Sequence, residues 1–263
     1  MPGLAVHLET HLKDRPFGER WRTGKALGFA ACEFVWRGKD MAEAAALRSE
    51  TGMAVTCMGG TTGGAPGHGR PALVAPQDRE QLASDLDAAV AAAHAVDCPF
   101  LVMVPGDHVE GWSEAEHHAV VVASLRAVVP QLEAAGVTAL LEPLNTRVNH
   151  PTCWCDTSTK AFAVVEAVGS RSVRVLYDLY HMKVMGDDLQ AVVRAHHPLI
   201  GYYHVAGVPG RHEPTGGEVD FRPVLDTIEA TGYRGFVGLE YSPSIAPEDS
   251  LRLVRGAFPD PAS

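Results

Sequence analysis

Short runs of apolar and β-branched residues recur along the chain, each followed by a longer stretch in which apolar positions return every three or four residues. A continuous apolar run suits a strand covered on both faces, whereas the wider spacing suits a helix with one buried face. Eight such runs predict strands near Leu4–Leu8, Ala31–Trp36, Ala54–Met58, Phe100–Pro105, Thr138–Pro143, Val173–Asp178, Ile200–Val205 and Phe236–Tyr241. From Asp78 to Val96, the residues Leu82, Leu86, Ala89, Val90 and Ala93 fall at helical spacing. From Ser113 to Ala135, Ser113 and Glu116 have the spacing of a capping box, and Pro130 predicts a kink. Strands alternating with helices imply a parallel sheet, and eight strands are the number that closes it into a single (β/α)8 TIM barrel of the α/β class. The 263 residues fit one such domain spanning 1–263, which needs about 250.

One segment breaks the pattern. Gly59 to Pro71, GGTTGGAPGHGRP, is too rich in Gly and Pro for regular structure and falls where the third strand gives way to its helix. It lacks the Gly-Lys-Ser/Thr ending of a phosphate-binding loop. It reads as a flexible surface loop, with a lid over the barrel mouth as the alternative.

Four strands carry a metal-capable side chain within their last residues: Glu142, Asp178, His204 and Glu240. They belong to successive strands and lie 36, 26 and 36 residues apart, close to the roughly 30 residues of one βα unit. Equal phase in the repeat places them at equal height, at the carboxyl ends of the strands where such barrels do their chemistry. Singly, each has an ordinary explanation as a helix cap or a satisfied core residue. Together, three acids among apolar strands would cost several kcal/mol each without compensation. One divalent cation supplies it, with three oxygens and an imidazole suiting Mn²⁺, Mg²⁺ or Co²⁺, and Zn²⁺ remaining open. His181 and Arg211 follow these strand ends closely and are expected to contact substrate; an ion pair of Arg211 with Glu213 is the alternative. His7, Trp36 and Arg37 are candidates for the opposite wall and Trp112 for covering an apolar part of the substrate, with a buried edge as the alternative, while Glu33 reads as a buried, hydrogen-bonded residue. Cys153-Trp154-Cys155 reads as packing.

Charge and cysteine content narrow the field. Lys plus Arg number 22 against 32 Asp plus Glu, a net charge of −10 that argues against nucleic acid but not against a small anionic substrate met by a local arginine. No apolar run approaches the roughly 18 residues of a membrane span, and the first residues do not resemble a signal peptide. Five scattered cysteines form neither a disulfide framework nor a Cys-x-x-Cys pair, so a reducing cytoplasm is expected. A homo-oligomer is left open.

The strings LLEPLNTR, YDLYHM, VAGVPGRHEP-x-x-GE and GLEY resemble the hydroxypyruvate isomerase family, within the xylose isomerase-like barrels that also contain ketose 3-epimerases. The resemblance is most specific from about Leu140 to Tyr241. It implies metal ligation by Glu142, Asp178, His204 and Glu240, acid/base roles for Glu142 and Glu240, and substrate contacts from His181 and Arg211. His204 matches the epimerases, where bacterial hydroxypyruvate isomerases often carry Gln, and FVWRG replaces the isomerases' aromatic-Pro-Tyr on the second strand. The activity expected is a metal-dependent isomerisation or epimerisation of a small sugar or hydroxy-oxo acid, by proton transfer through an enediolate held at the cation. A lyase of the inosose dehydratase type and a non-catalytic carbohydrate-binding barrel are the alternatives.

Overall fold

The computed structural model describes residues 1–63 and 70–258, so the middle of the Gly-rich segment lies outside the described residues. Eight parallel strands form a closed barrel in sequence order: β1 (Gly3–His7), β2 (Ala31–Val35), β3 (Ala54–Gly59), β4 (Phe100–Met103), β5 (Thr138–Leu141), β6 (Val173–Asp178), β7 (Ile200–Val205) and β8 (Phe236–Leu239). Closure is made by β1 and β8, which pair from Gly3 with Phe236 to Val6 with Leu239. The predicted strands are all present, but β4, β5 and β8 stop before their expected ends. At β5 and β8 the backbone keeps the ladder direction for one more step, with Glu142 N–H donating to Met103 O at 3.2 Å and Glu240 N–H to Val205 O at 3.3 Å.

Ten helices surround the barrel among the described residues: α1 (Leu8–His11), α2 (Phe17–Ala26), α3 (Met41–Thr51), α4 (Arg79–Ala95), α5 (Glu114–Ala135), α6 (Ser158–Val168), α7 (Leu179–Met185), α8 (Leu189–His196), α9 (Arg222–Ala230) and α10 (Pro247–Ala257). The capping box at Ser113 and Glu116 is formed, satisfying amides that the first turn of α5 leaves without helical partners. Pro130 sits inside α5, which continues to Ala135. No helix among the described residues is long and apolar enough to cross a membrane. All five cysteines are free and buried.

Strand periodicity explains how the barrel interior is divided. Side chains two apart share a face, so Leu140 precedes Glu142, Leu176 precedes Asp178 and Tyr202 precedes His204 on the inward side. Leu140, Leu176, Tyr202 and Cys57 are buried together against Phe100, Val102 and Phe236. This apolar plug, where each leucine contributes about 1.5–3 kcal/mol by burial, forms a floor beneath the polar residues. The Tyr202 hydroxyl is satisfied inside it by Thr56 Oγ1 at 2.8 Å.

Candidate metal centre

Above that floor Glu142, Asp178, His204 and Glu240 each present one ligand-capable atom within 4.8 Å of the others. Glu142, Asp178 and His204 are buried, and the Glu240 side chain is 22% exposed. Register accounts for part of the convergence, since Asp178 on β6 is the direct neighbour of His204 on β7. His204 Nδ1 lies 3.3 Å from Glu240 Oε2 and 3.9 Å from Glu142 Oε1. Asp178 uses Oδ1 to cap α7, accepting from Tyr180 N–H at 2.7 Å and His181 N–H at 3.0 Å. Its other oxygen, Oδ2, has no hydrogen bond, and neither has Glu142 Oε1 nor His204 Nδ1. Three buried polar atoms without partners, aimed at one another, fit a cation of the hard or borderline kind.

One cationic side chain, Arg211, closes over the cluster. Arg211 Nη2 contacts Glu240 Oε2 at 2.5 Å and lies 3.6 Å from Asp178 Oδ2. The expected alternative, pairing with Glu213, is not formed, because Glu213 accepts from Ser244 N–H at 2.9 Å and Ser244 Oγ at 2.7 Å. The loop carrying Arg211 turns sharply. Gly207 N–H donates to His212 O at 2.8 Å, and a side chain at Gly207 would collide with the Glu213 carbonyl. Arg211 itself takes a left-handed φ of 56°, a conformation that non-glycine residues adopt at a cost.

The electrostatics separate the two glutamates. Burial, together with the neighbouring Glu240, pushes the Glu142 carboxyl up to about 8. Burial acts in the same sense on Glu240, but Arg211 and His204 outweigh it and hold that carboxyl well below the usual range. Burial disfavours charge on His204, yet Glu33 and Glu240 hold the imidazole well above its ordinary value. Proton and cation are alternatives on Nδ1. His181 is pulled down to about 4 by burial and is neutral at pH 7.

A cavity of about 450 Å³ opens over the cluster, lined by His7, Glu142, His204 and Glu240 among others. Its remaining wall includes Arg70, Asp107, Asn149 and His150. His7 Nε2 stands 3.9 Å from Glu240 Oε1. Asp178, His181 and Arg211 are not on this lining. His181 is fully buried, its Nδ1 meeting Asn145 N–H at 3.2 Å and its Nε2 lying 3.7 Å from Asp178 Oδ2. Trp112 is placed away from the cavity, packed edge-on against His117 with ring centroids 5.3 Å apart. Arg37 and Trp36 are also directed elsewhere, Arg37 pairing with Asp85 at 2.6 Å and stacking on Trp36. Cys153 lines the cavity, while Trp154 is buried and donates from Nε1 to Glu114 at 2.9 Å.

Arg70 and His150 have no strand-end position to mark them in the sequence. Asn145 does have a signal, three residues beyond Glu142 in LLEPLNTR.

The model of the family described as xylose isomerase-like TIM barrel matches residues 21–256. The chain belongs to this family. A Homo sapiens protein named "Putative hydroxypyruvate isomerase" is 33% identical over 243 residues, covering 90% of this chain and 87% of that protein. A Cupriavidus necator protein named 2-oxo-tetronate isomerase is 26% identical over 256 residues, covering 97% and 98%. Among solved structures, a Brucella melitensis protein described as AP endonuclease, family 2, superposes with a TM-score of 0.90 at 29% identity, covering 99% of this chain and all of that one. The family membership agrees with the resemblance read from the strand-end motifs.

Proposed function

We propose that the protein is an isomerase of a small hydroxy-oxo acid, with Glu142 and Glu240 as its acid and base. The observation that carries this reading is the pair of glutamates on the wall of one cavity, both beside His204 Nδ1 and both in the metal-capable cluster. Two carboxylates flanking one candidate cation site are what a proton transfer between neighbouring carbons requires. A divalent ion held by Glu142, Asp178, His204 and Glu240 would supply the positive charge that polarises a carbonyl and acidifies the adjacent C–H. Glu240, ionised beside Arg211, takes the proton from the hydroxyl-bearing carbon. Glu142 relays a proton taken up from solvent to the former carbonyl carbon, Glu240 returns its own to solvent, and a further proton passes between the two oxygens. Return of the proton to the opposite face of the same carbon would be epimerisation.

Two features support an acid as the substrate. Arg70 is the one Lys or Arg on the cavity lining among the described residues. A guanidinium on that wall suits a substrate carboxylate, which arginine holds through two parallel hydrogen bonds. Isomerase names among the relatives, one for a 2-oxo-tetronate, point the same way. The description of the Brucella protein raises AP endonuclease activity as another reading. A net charge of −10 and a single four-residue metal-capable cluster among the described residues do not favour it.

Turnover in D₂O is the test. Isomerisation by proton transfer places deuterium on a carbon adjacent to the carbonyl, and Glu142→Gln and Glu240→Gln each lose at least about 10²-fold in kcat. Product without deuterium, or near-wild-type activity in both variants, overturns the assignment. Loss of water from the product, read by mass, identifies a lyase instead.

A further inference from the structure

We infer that Glu33, on the opposite side of the barrel seam from the four candidate ligands, is the positioning residue that fixes the His204 ring so that Nδ1 faces the cation. Glu33 is 2% exposed, and its Oε2 accepts from His204 Nε2 at 2.9 Å. That imidazole is the only hydrogen-bond partner of the carboxylate among the described residues, and Oε1 has none. A buried acid committed to one histidine is costly unless the pair serves something. The bond requires a proton on Nε2, which leaves the opposite nitrogen to point at Glu142 and Glu240. A histidine that ligates a metal through one nitrogen is held in this way by a carboxylate on the other.

The neighbouring strand is shaped for this pair. Gly238 is the register partner of His204 and sits two residues before Glu240 on β8. In the corresponding position the other three ligand strands carry Leu140, Leu176 and Tyr202. A Cβ at Gly238 would strike Glu33 Oε1 and come within 2.6 Å of His204 Cδ2. The side chain missing from the barrel floor at β8 is thus replaced by the Glu33 carboxylate reaching across from β2. Two strands from opposite ends of the chain are therefore fitted to one histidine.

This inference rests on the reading of Glu142, Asp178, His204 and Glu240 as cation ligands. The experiment titrates Co²⁺ alone into chelator-treated protein, followed by calorimetry and by the visible absorption of the bound ion. Wild type is expected to bind one Co²⁺ per chain. Glu33→Met keeps the volume and removes the acceptor, and should weaken binding about 10–100-fold and change the Co²⁺ spectrum. Glu33→Gln can still accept through its amide oxygen and should stay within about threefold of wild type. Gly238→Ala retains Glu33 but displaces the pair, and should match Glu33→Met in affinity and spectrum. Urea midpoints measured without metal show that each variant is folded. Wild-type affinity and spectrum in folded Glu33→Met overturn the inference while leaving the ligand reading intact. Failure of wild type to bind Co²⁺ removes both.

Discussion

The turn that follows β1 contains a titratable group whose effect on stability can be worked out. His11 is 2% exposed, its ring edge-on to Tyr241 at 4.2 Å and its Nδ1 3.0 Å from the carbonyl of His7, the residue that faces Glu240. Burial pulls its pKa from 6.5 down to about 3. Below pH 6.5 the unfolded chain therefore binds a proton that the native chain refuses, and stability falls as pH falls. The loss is ~1.4 kcal/mol for each pH unit between 6.5 and 3. His11→Phe keeps a ring against Tyr241 and removes the titration. At pH 7.5 it should be less stable by the missing hydrogen bond, about 1 kcal/mol. By pH 4.5 the wild type should have lost ~3 kcal/mol that the variant keeps, so the two stability curves cross near pH 6. Urea unfolding at pH 7.5, 6.5, 5.5 and 4.5, with chelator present to keep the metal ligands out of the comparison, measures the difference directly. Curves that stay parallel over this range would refute the reasoning, because every other group cancels between the two proteins.

Arg70→Met should raise KM for a hydroxy-oxo acid at least tenfold, corresponding to about 1.4 kcal/mol or more of lost charge-assisted hydrogen bonding, and should leave a neutral sugar of the same length unaffected; steady-state kinetics on such a pair decides it. Leu140→Ala opens a void in the apolar floor it shares with Cys57, Leu176 and Tyr202 and should cost about 2–5 kcal/mol, read as a lower urea midpoint. Burial raises the thiols of Cys32, Cys57, Cys98, Cys153 and Cys155, so a thiol-disulfide reagent should label fewer than one per native chain and all five after unfolding.

The barrel and its four strand-end residues were legible because both follow from periodicity. Spacing along a parallel βα repeat determines height, and Glu142, Asp178, His204 and Glu240 share it. Azimuth and loop path are not encoded that way. Trp112 follows β4 as closely as His181 follows β6, yet a turn ending in the α5 cap carries it onto His117 and away from the cavity. His181 follows Asp178 directly, but α7 begins so promptly that its ring is fully buried and off the cavity lining, not out over the cluster as expected. Glu33 was readable as buried and hydrogen-bonded. Its partner was not, because the contact spans 171 residues and exists only once the sheet has closed on itself. Arg70 carries no periodic signal at all, and it becomes notable only when the cavity wall is seen to hold no other Lys or Arg.

The closing seam between β1 and β8 has a consequence for the order of events during synthesis. A ribosome that has made β5, β6 and β7 has released Glu142, Asp178 and His204, but the fourth donor and the notch at Gly238 arrive with the last strand. Until β8 docks, both the sheet edge of β1 and the ring of donor atoms are incomplete, and one event finishes both. If these four residues hold an ion as proposed, only a chain whose barrel is already shut can capture it, and its uptake would report correct closure.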